Sequence, residues 1–124
     1  MVEVPIQLAA IWVALMLTYL LGDVLRVFAG DFTPGEMGGR KATPAWWMVG
    51  ALIMLVPIAM VIASVMVAGD VVRWAHIGAA AGLLVFNLVG LPTYPGLYDR
   101  FLIAVGLAIN VLTIAVAWGW DGRG

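Results

Sequence analysis

Residues 46–68, WWMVGALIMLVPIAMVIASVMVA, form a run of 23 residues without one charged side chain. A helix of about 20 apolar residues, at roughly 1.5 Å rise per residue, spans the ~30 Å hydrocarbon core of a bilayer. Comparably apolar stretches occupy about residues 6–28, 71–91 and 97–118. The sequence therefore predicts an all-α polytopic membrane protein, an antiparallel bundle of four transmembrane helices that forms one domain over residues 1–124.

The composition supports this class of protein. Hydrophobic residues make up 65% of the chain and charged residues 10%, and the mean hydropathy is +1.10, whereas a soluble domain carries about 25% charged residues. A net charge of −1 provides no basic patch, so nucleic acid is not expected as a partner. With no cysteine and one histidine, the chain lacks the donors typical of a transition-metal site, and we expect neither a metal nor a cofactor.

The connectors between the apolar stretches define the layout. The segment before the first stretch lacks the basic residues of a signal peptide, so we expect a retained helix there. The longest polar connector covers about residues 29–45 and ends in Thr43 and Pro44, which predict a capping residue followed by the first residue of the second helix. The other two connectors are too short to cross the bilayer, so neighbouring helices must be antiparallel.

Basic residues predict the orientation of the bundle. The side of the first and third connectors carries more of them than the opposite side: Arg26, Arg40, Lys41 and Arg100 against Arg73 and Arg123. Because Lys and Arg are retained in the cytoplasm, we expect both termini on the periplasmic side of a bacterial cytoplasmic membrane.

A polar cluster is predicted near the end of the first helix. Tyr19, Asp23 and Arg26 share one helical face at spacings of four and three residues. A carboxylate at the depth of Asp23 usually faces the interior of a bundle. It would there bind a cation, a proton or a polar head group, or pair with Arg26 or Arg100 as an anchor between the first and fourth helices. The ligand or polar-cluster candidates are Tyr19, Asp23, Arg26, Asn87, Tyr98 and Arg100.

Helix packing is predicted from small residues and a proline. Gly78 and Gly82 form a smooth groove on the third helix, which we expect to seat a neighbouring helix of the same chain, with a dimer seam as the alternative. Pro57 frees a backbone carbonyl inside the second helix and predicts a kink or a polar contact there. Asn110 is expected to form a hydrogen bond between helices, and His76 is expected just inside the interface opposite Asp23.

Several short motifs resemble a known family. They look like those of a small four-helix bacterial integral membrane family of uncharacterised function, which is similar in size and layout to the DoxX-like proteins. The family pattern often has an acidic residue just before the proline of the second helix, where this chain has Val56. The resemblance implies the four-helix architecture and leaves the function open. The motifs that carry it are Tyr19-Leu-Leu-Gly-Asp23, Pro57-Ile-Ala-Met60, Arg73-Trp-Ala75, Gly90-Leu-Pro-Thr93 and Ala117-Trp-Gly-Trp120.

Two classes of function remain after the motifs are considered. The chain has no nucleophile–base pair, phosphate-binding loop or dinucleotide fingerprint, so enzymatic activity has no positive support. We expect a non-enzymatic bundle that binds a lipid or hydrophobic small molecule, or an accessory subunit of a membrane complex. The alternative is a small oligomeric proton-coupled transporter that uses Asp23. The expected partners are the lipid bilayer and either further copies of the chain or a larger membrane complex.

Overall fold

The computed structural model describes residues 2–37 and 40–122, and four long helices account for most of them. All four are long and apolar enough to span a membrane, which confirms the predicted all-α four-helix architecture. A 3-10 turn, Leu91–Thr93, follows the third helix, and a two-residue hairpin pairs Glu36–Met37 with Arg40–Lys41 in the first connector. The helices are α1 (Val4–Phe28), α2 (Pro44–Met66), α3 (Asp70–Gly90) and α4 (Leu97–Trp118).

Local sequence explains where the second and third helices begin. The backbone N–H of Trp46 donates to the hydroxyl oxygen of Thr43 at 3.4 Å, and Pro44 is the first residue of α2, so the predicted cap is confirmed. Gly69 has φ of +122°, a conformation that side-chain-bearing residues rarely adopt. This glycine allows the chain to reverse between α2 and α3 within three residues.

The helices pack unevenly around the bundle axis. Helix α1 packs extensively against α2 and α4, and α4 also packs extensively against α3, whereas α2 and α3 barely touch. Arg26 faces Asp99 and Tyr19 faces Gly106, so α1 and α4 run antiparallel in a fixed register. The bundle therefore has three tight seams and one loose seam, between α2 and α3.

The termini lie at one end of the bundle. Leu8 near the start of α1 packs in the same cluster as Val72, Ala117 and Trp120. The segment after α4 folds back over the turn between α2 and α3, where the carbonyl of Gly122 accepts a 2.6 Å hydrogen bond from the N–H of Gly69. The cytoplasmic or periplasmic assignment of this end stays a prediction.

The small-residue face of α3 points away from the bundle. Gly78 and Gly82 are exposed, and a Cβ added to either would meet no atom within 4 Å. The expectation that this groove seats a helix of the same chain is therefore wrong. Fully buried Ala80 lies on the opposite side of α3, in line with His76 and Leu83, and it is the small residue that lets α3 approach its neighbours.

Pro57 faces the interior of the bundle. Its side chain is buried. Helix α2 has only three buried residues, fewer than each of the other three helices. Two turns later, the Ser64 hydroxyl donates to the carbonyl of Met60 at 2.5 Å. The prolyl ring fills part of the interior of the bundle.

Candidate functional site

A cavity of about 140 Å³ lies at the end of the bundle opposite the termini. All four helices contribute to it, and its upper walls are apolar side chains of α2, α3 and α4. Its base is polar and charged. The apolar lining residues are Ile53, Met54, Leu83, Phe86, Leu102 and Ile103, and the polar ones are Thr18, Tyr19, Asp23, Arg26, Asn87, Tyr94 and Asp99.

Arg26 organises the polar base of the cavity. Its Nη1 donates a 2.8 Å hydrogen bond to Oδ1 of Asp99 on α4, and its Nη2 contacts the Asp23 carboxylate on its own helix. The guanidinium also lies over the ring of Tyr94, 5.1 Å from its centroid, a cation–π arrangement. One arginine therefore joins α1, α4 and the connector after α3.

Asp99 is the buried carboxylate of the site. The residue is 1% exposed, and its Oδ2 atom has no hydrogen-bond partner among the described residues. It lies in the first turn of α4, where the helix dipole stabilises a negative charge. An unsatisfied buried acceptor costs about 1–3 kcal/mol, so this oxygen favours a hydrogen-bond donor, from water or from a ligand, in the cavity.

Tyr19 and Asn87 close the cavity toward the middle of the membrane. The amide Nδ2 of Asn87 donates to the Tyr19 hydroxyl and to the carbonyl of Leu83, both at 2.8 Å. The ring of Tyr19 lies where a side chain of Gly106 would begin, since a Cβ on that glycine would be 3.4 Å from it. Gly106 therefore makes room for the tyrosine between α1 and α4.

The structure brings together four of the six predicted cluster residues. Tyr19, Asp23, Arg26 and Asn87 line the cavity, whereas the other two lie outside it. The Tyr98 hydroxyl donates to Oδ2 of Asp31 at 2.5 Å. Arg100 is exposed and donates through Nε to the carbonyl of Tyr94 at 2.7 Å.

Asp23 lines the cavity, but the expected burial of its carboxylate inside the bundle is wrong. Its side chain is 56% exposed, whereas the preceding residue, Gly22, is buried against α4. The anchor between the first and fourth helices exists, but Arg26 forms it with Asp99. A signal for Asp99 was present in the sequence: Asp99, Gly106, Asn110 and Thr113 recur at helical spacing and share the inward face of α4.

A second polar group lies at the end of the bundle near the termini. Trp12 donates from Nε1 to Nδ1 of His76 at 2.9 Å, and both side chains are fully buried. The ring of Trp120 packs edge-on against the imidazole, 6.2 Å between centroids. Arg73 donates to the carbonyls of Ala117 and Trp118 at 2.9 and 2.7 Å. His76 thus lies in the interior of the bundle, and its predicted depth just inside the interface stays a prediction.

Asn110 and Thr113 lie between these two groups and are fully buried. The Thr113 hydroxyl donates to the Ile109 carbonyl of its own helix at 3.0 Å. Neither amide atom of Asn110 has a hydrogen-bond partner among the described residues, although the amide lies beside the Tyr19 hydroxyl. Asn110 thus contacts Tyr19 of α1, as expected of a polar contact between helices, in a geometry that leaves both of its amide atoms unsatisfied.

These features define an integral membrane protein with four helices and a polar interior. Comparisons of the chain with protein-family models, with curated proteins and with solved structures find no match. Within the described residues, no group of three or more histidine or acidic side chains is arranged to hold a metal ion.

Proposed function

We propose that the protein binds an amphipathic molecule inside the membrane, with a hydrogen-bond-donating head group at Asp99. The observation that carries this proposal is the unpartnered Oδ2 of Asp99 at the base of a cavity whose upper walls are apolar. The head group of such a ligand would bond to Asp99 and its apolar part would contact the apolar walls. Pockets for small molecules usually combine these two kinds of contact.

Charge favours a cationic head group. Asp23 and Asp99 both contact Arg26, so two carboxylates share one guanidinium and, when both are ionised, one negative charge is left over. A phosphate or carboxylate head group would meet this excess charge, whereas an ammonium group would neutralise it. Three N–H donors on an ammonium also match the free oxygen of Asp99.

The size and the position of the cavity suggest how the ligand lies. A volume of about 140 Å³ accommodates a head group and the first carbons of a chain, and drug-sized pockets are larger, at about 300–1,000 Å³. The loose seam between α2 and α3 gives the rest of the chain a place beside Phe86 and Met54. In this arrangement the ligand enters from the bilayer.

The setting in the cell follows from the same proposal. A bundle that takes its ligand from lipid works alone or as an accessory subunit of a membrane complex, and the basic residues around the cavity end favour a cytoplasmic position for that end. The alternative, a proton-coupled transporter that uses Asp23, is not supported by the exposed position of that carboxylate.

Binding to purified protein in nanodiscs tests the proposal. We expect a long-chain alkylammonium to bind in native mass spectrometry, and the matched alkyl sulfate to bind more weakly. Asp99→Asn should weaken alkylammonium binding by roughly 10–100-fold, since a hydrogen bond to a charged group contributes about 1.5–3 kcal/mol. Asp70→Asn is the matched control, because Asp70 is exposed at the opposite end of the bundle.

Two results would contradict the proposal. Equal binding of the ammonium and the sulfate would indicate simple partitioning into lipid. Unchanged ammonium binding in a folded Asp99→Asn variant would remove Asp99 from the site.

A further inference from the structure

Buried polar side chains continue beyond the cavity to the other end of the bundle. After Tyr19 and Asn87 come Asn110, Thr113 and His76, and the last three are fully buried. Polar groups at such depth in a membrane are rare and commonly mark pathways for ions or protons. None of these three is used by the proposed amphiphile site.

The register of α1 and α4 places these groups in a row along the bundle axis. Tyr19 lies against Gly106, and Asn110 and Thr113 follow on the same face of α4. At about 1.5 Å per residue, the step from Gly106 to Asn110 along the axis is roughly 6 Å, and the step from Asn110 to Thr113 is roughly 4.5 Å. The same register puts Thr113 level with Trp12, which is bonded to His76. The seven residues from Asp99 to Gly106 add roughly 10.5 Å along the axis, a stretch that the cavity between Asp99 and Tyr19 occupies.

The unpaired polar atoms all belong to this row. In the described part of the chain, the buried side-chain atoms without a hydrogen-bond partner are Oδ2 of Asp99, both amide atoms of Asn110 and Nε2 of His76. Buried waters typically satisfy such atoms with about three hydrogen bonds each. The four atoms lie at the two ends and in the middle of the row, and a buried water at each place would satisfy them.

We propose that waters joining Asp99, Asn110 and His76 form a path for protons through the bundle. Along the path, each water accepts one proton and passes another to its neighbour. At His76 one ring nitrogen accepts a proton and the other releases one, so charge moves without any redox change. The membrane potential supplies the driving force. The path shares Asp99 with the amphiphile site, and its other groups lie outside that site.

Trp12 controls the step at His76. Because an indole N–H only donates, Nδ1 of His76 must be the acceptor, and the ring proton must lie on Nε2. His76 takes a second proton at Nδ1 only when Trp12 moves away. The other groups around the ring are Trp120 and, on its own helix, Arg73, which is held by two carbonyls of α4. The indole therefore acts as a positioning residue that restrains proton transfer.

Proton flux in proteoliposomes tests the path. A potassium gradient with valinomycin imposes a potential, and an enclosed pH-sensitive dye reports proton entry. We expect wild-type protein to acidify the vesicles faster than empty liposomes, Asn110→Leu and His76→Phe to abolish the difference, and Trp12→Phe to increase it. Val111→Leu, at the same depth on the exposed face of α4, should match wild type.

The outcomes separate this inference from the proposed function. Wild-type flux equal to that of empty liposomes overturns the path, as does wild-type flux through folded Asn110→Leu protein. If Asn110→Leu does not fold, Thr113→Val takes its place, because it removes a hydroxyl at nearly constant shape; unchanged flux in that variant also overturns the path. Alkylammonium binding is measured in the same preparations, and binding without flux would contradict the path alone.

Discussion

The indole N–H of Trp12 donates a 2.9 Å hydrogen bond to Nδ1 of His76, 64 residues further along the chain. This bond connects α1 with α3, and both side chains are excluded from solvent. It fixes the imidazole in the tautomer with the proton on Nε2, because the acceptor nitrogen carries none. The donor and the acceptor of this buried contact are thus both defined: Trp12 donates, and Nδ1 of His76 accepts.

The tautomer of His76 is open to direct measurement. We expect the imidazole ¹⁵N signals of labelled protein in lipid to show a protonated Nε2 and an unprotonated Nδ1. In Trp12→Phe protein the preference should weaken, since the donor to Nδ1 is gone. An equal mixture of tautomers in the wild-type protein would contradict the assigned bond.

Stability should respond unequally to changes in the Arg26–Asp99 pair. Arg26→Gln leaves the buried Asp99 without its partner and should cost about 3–5 kcal/mol, as for other broken buried pairs. Asp99→Asn should cost less, because Arg26 keeps its contact with Asp23. Unfolding in mixed detergent, monitored by circular dichroism, measures both.

Asp23→Asn provides the matched control for that series. With its side chain 56% exposed, Asp23 should contribute at most about 1 kcal/mol, the range of surface ion pairs. A cost as large as that of Arg26→Gln would instead make Asp23 the main partner of the arginine.

Two glycines should differ sharply in their tolerance of a side chain. Gly106→Val should destabilise the bundle by about 1–3 kcal/mol through overpacking, because even its Cβ would lie 3.4 Å from the Tyr19 ring. Gly82→Val should be tolerated by the monomer, since that position opens onto free space. The thermal midpoint in detergent compares them, and loss of dimer in Gly82→Val alone would identify a seam between two copies.

Topology can be tested with single cysteines, because the chain has none of its own. Cysteines replacing Val2 and Asp121 should react with a membrane-impermeant maleimide from the same side of the membrane, and one replacing Thr33 from the other. The distribution of basic residues predicts periplasmic labelling of the first two. Opposite-side labelling of Val2 and Asp121 would refute the four-span arrangement.

The fold was predictable because its main determinant, the length of each run of apolar residues, can be seen directly in the sequence. A membrane-spanning helix needs about 20 consecutive apolar residues, and four such stretches are visible without knowledge of any contact. The observed start of α1 lies two residues before the predicted one, whereas α2 starts at Pro44 as its cap predicts. Thr43 and Pro44 mark the start of α2 for local reasons that do not depend on packing.

The orientation of each helix about its axis was harder to predict. In a membrane-spanning helix, the side that faces lipid is as apolar as the side that faces the bundle. The difference in hydrophobicity that identifies the buried side of a helix in a soluble protein is therefore weak. The sequence alone therefore places the glycines of α3 on the wrong side and favours Asp23 over Asp99. Only the contacts of α1 with α4 decide which carboxylate reaches Arg26, and those depend on a register between helices far apart in sequence.

Arg26 and Asp99 are separated by 73 residues, and this separation in sequence determines how early in synthesis the two side chains can meet. At a synthesis rate of about 5–20 residues per second, the carboxylate emerges from the ribosome roughly 4–15 s after the arginine. During that interval the Arg26 side chain must extend to the membrane surface, where water solvates its charge. The ion pair that joins the first and fourth helices thus forms only after the last helix has been made.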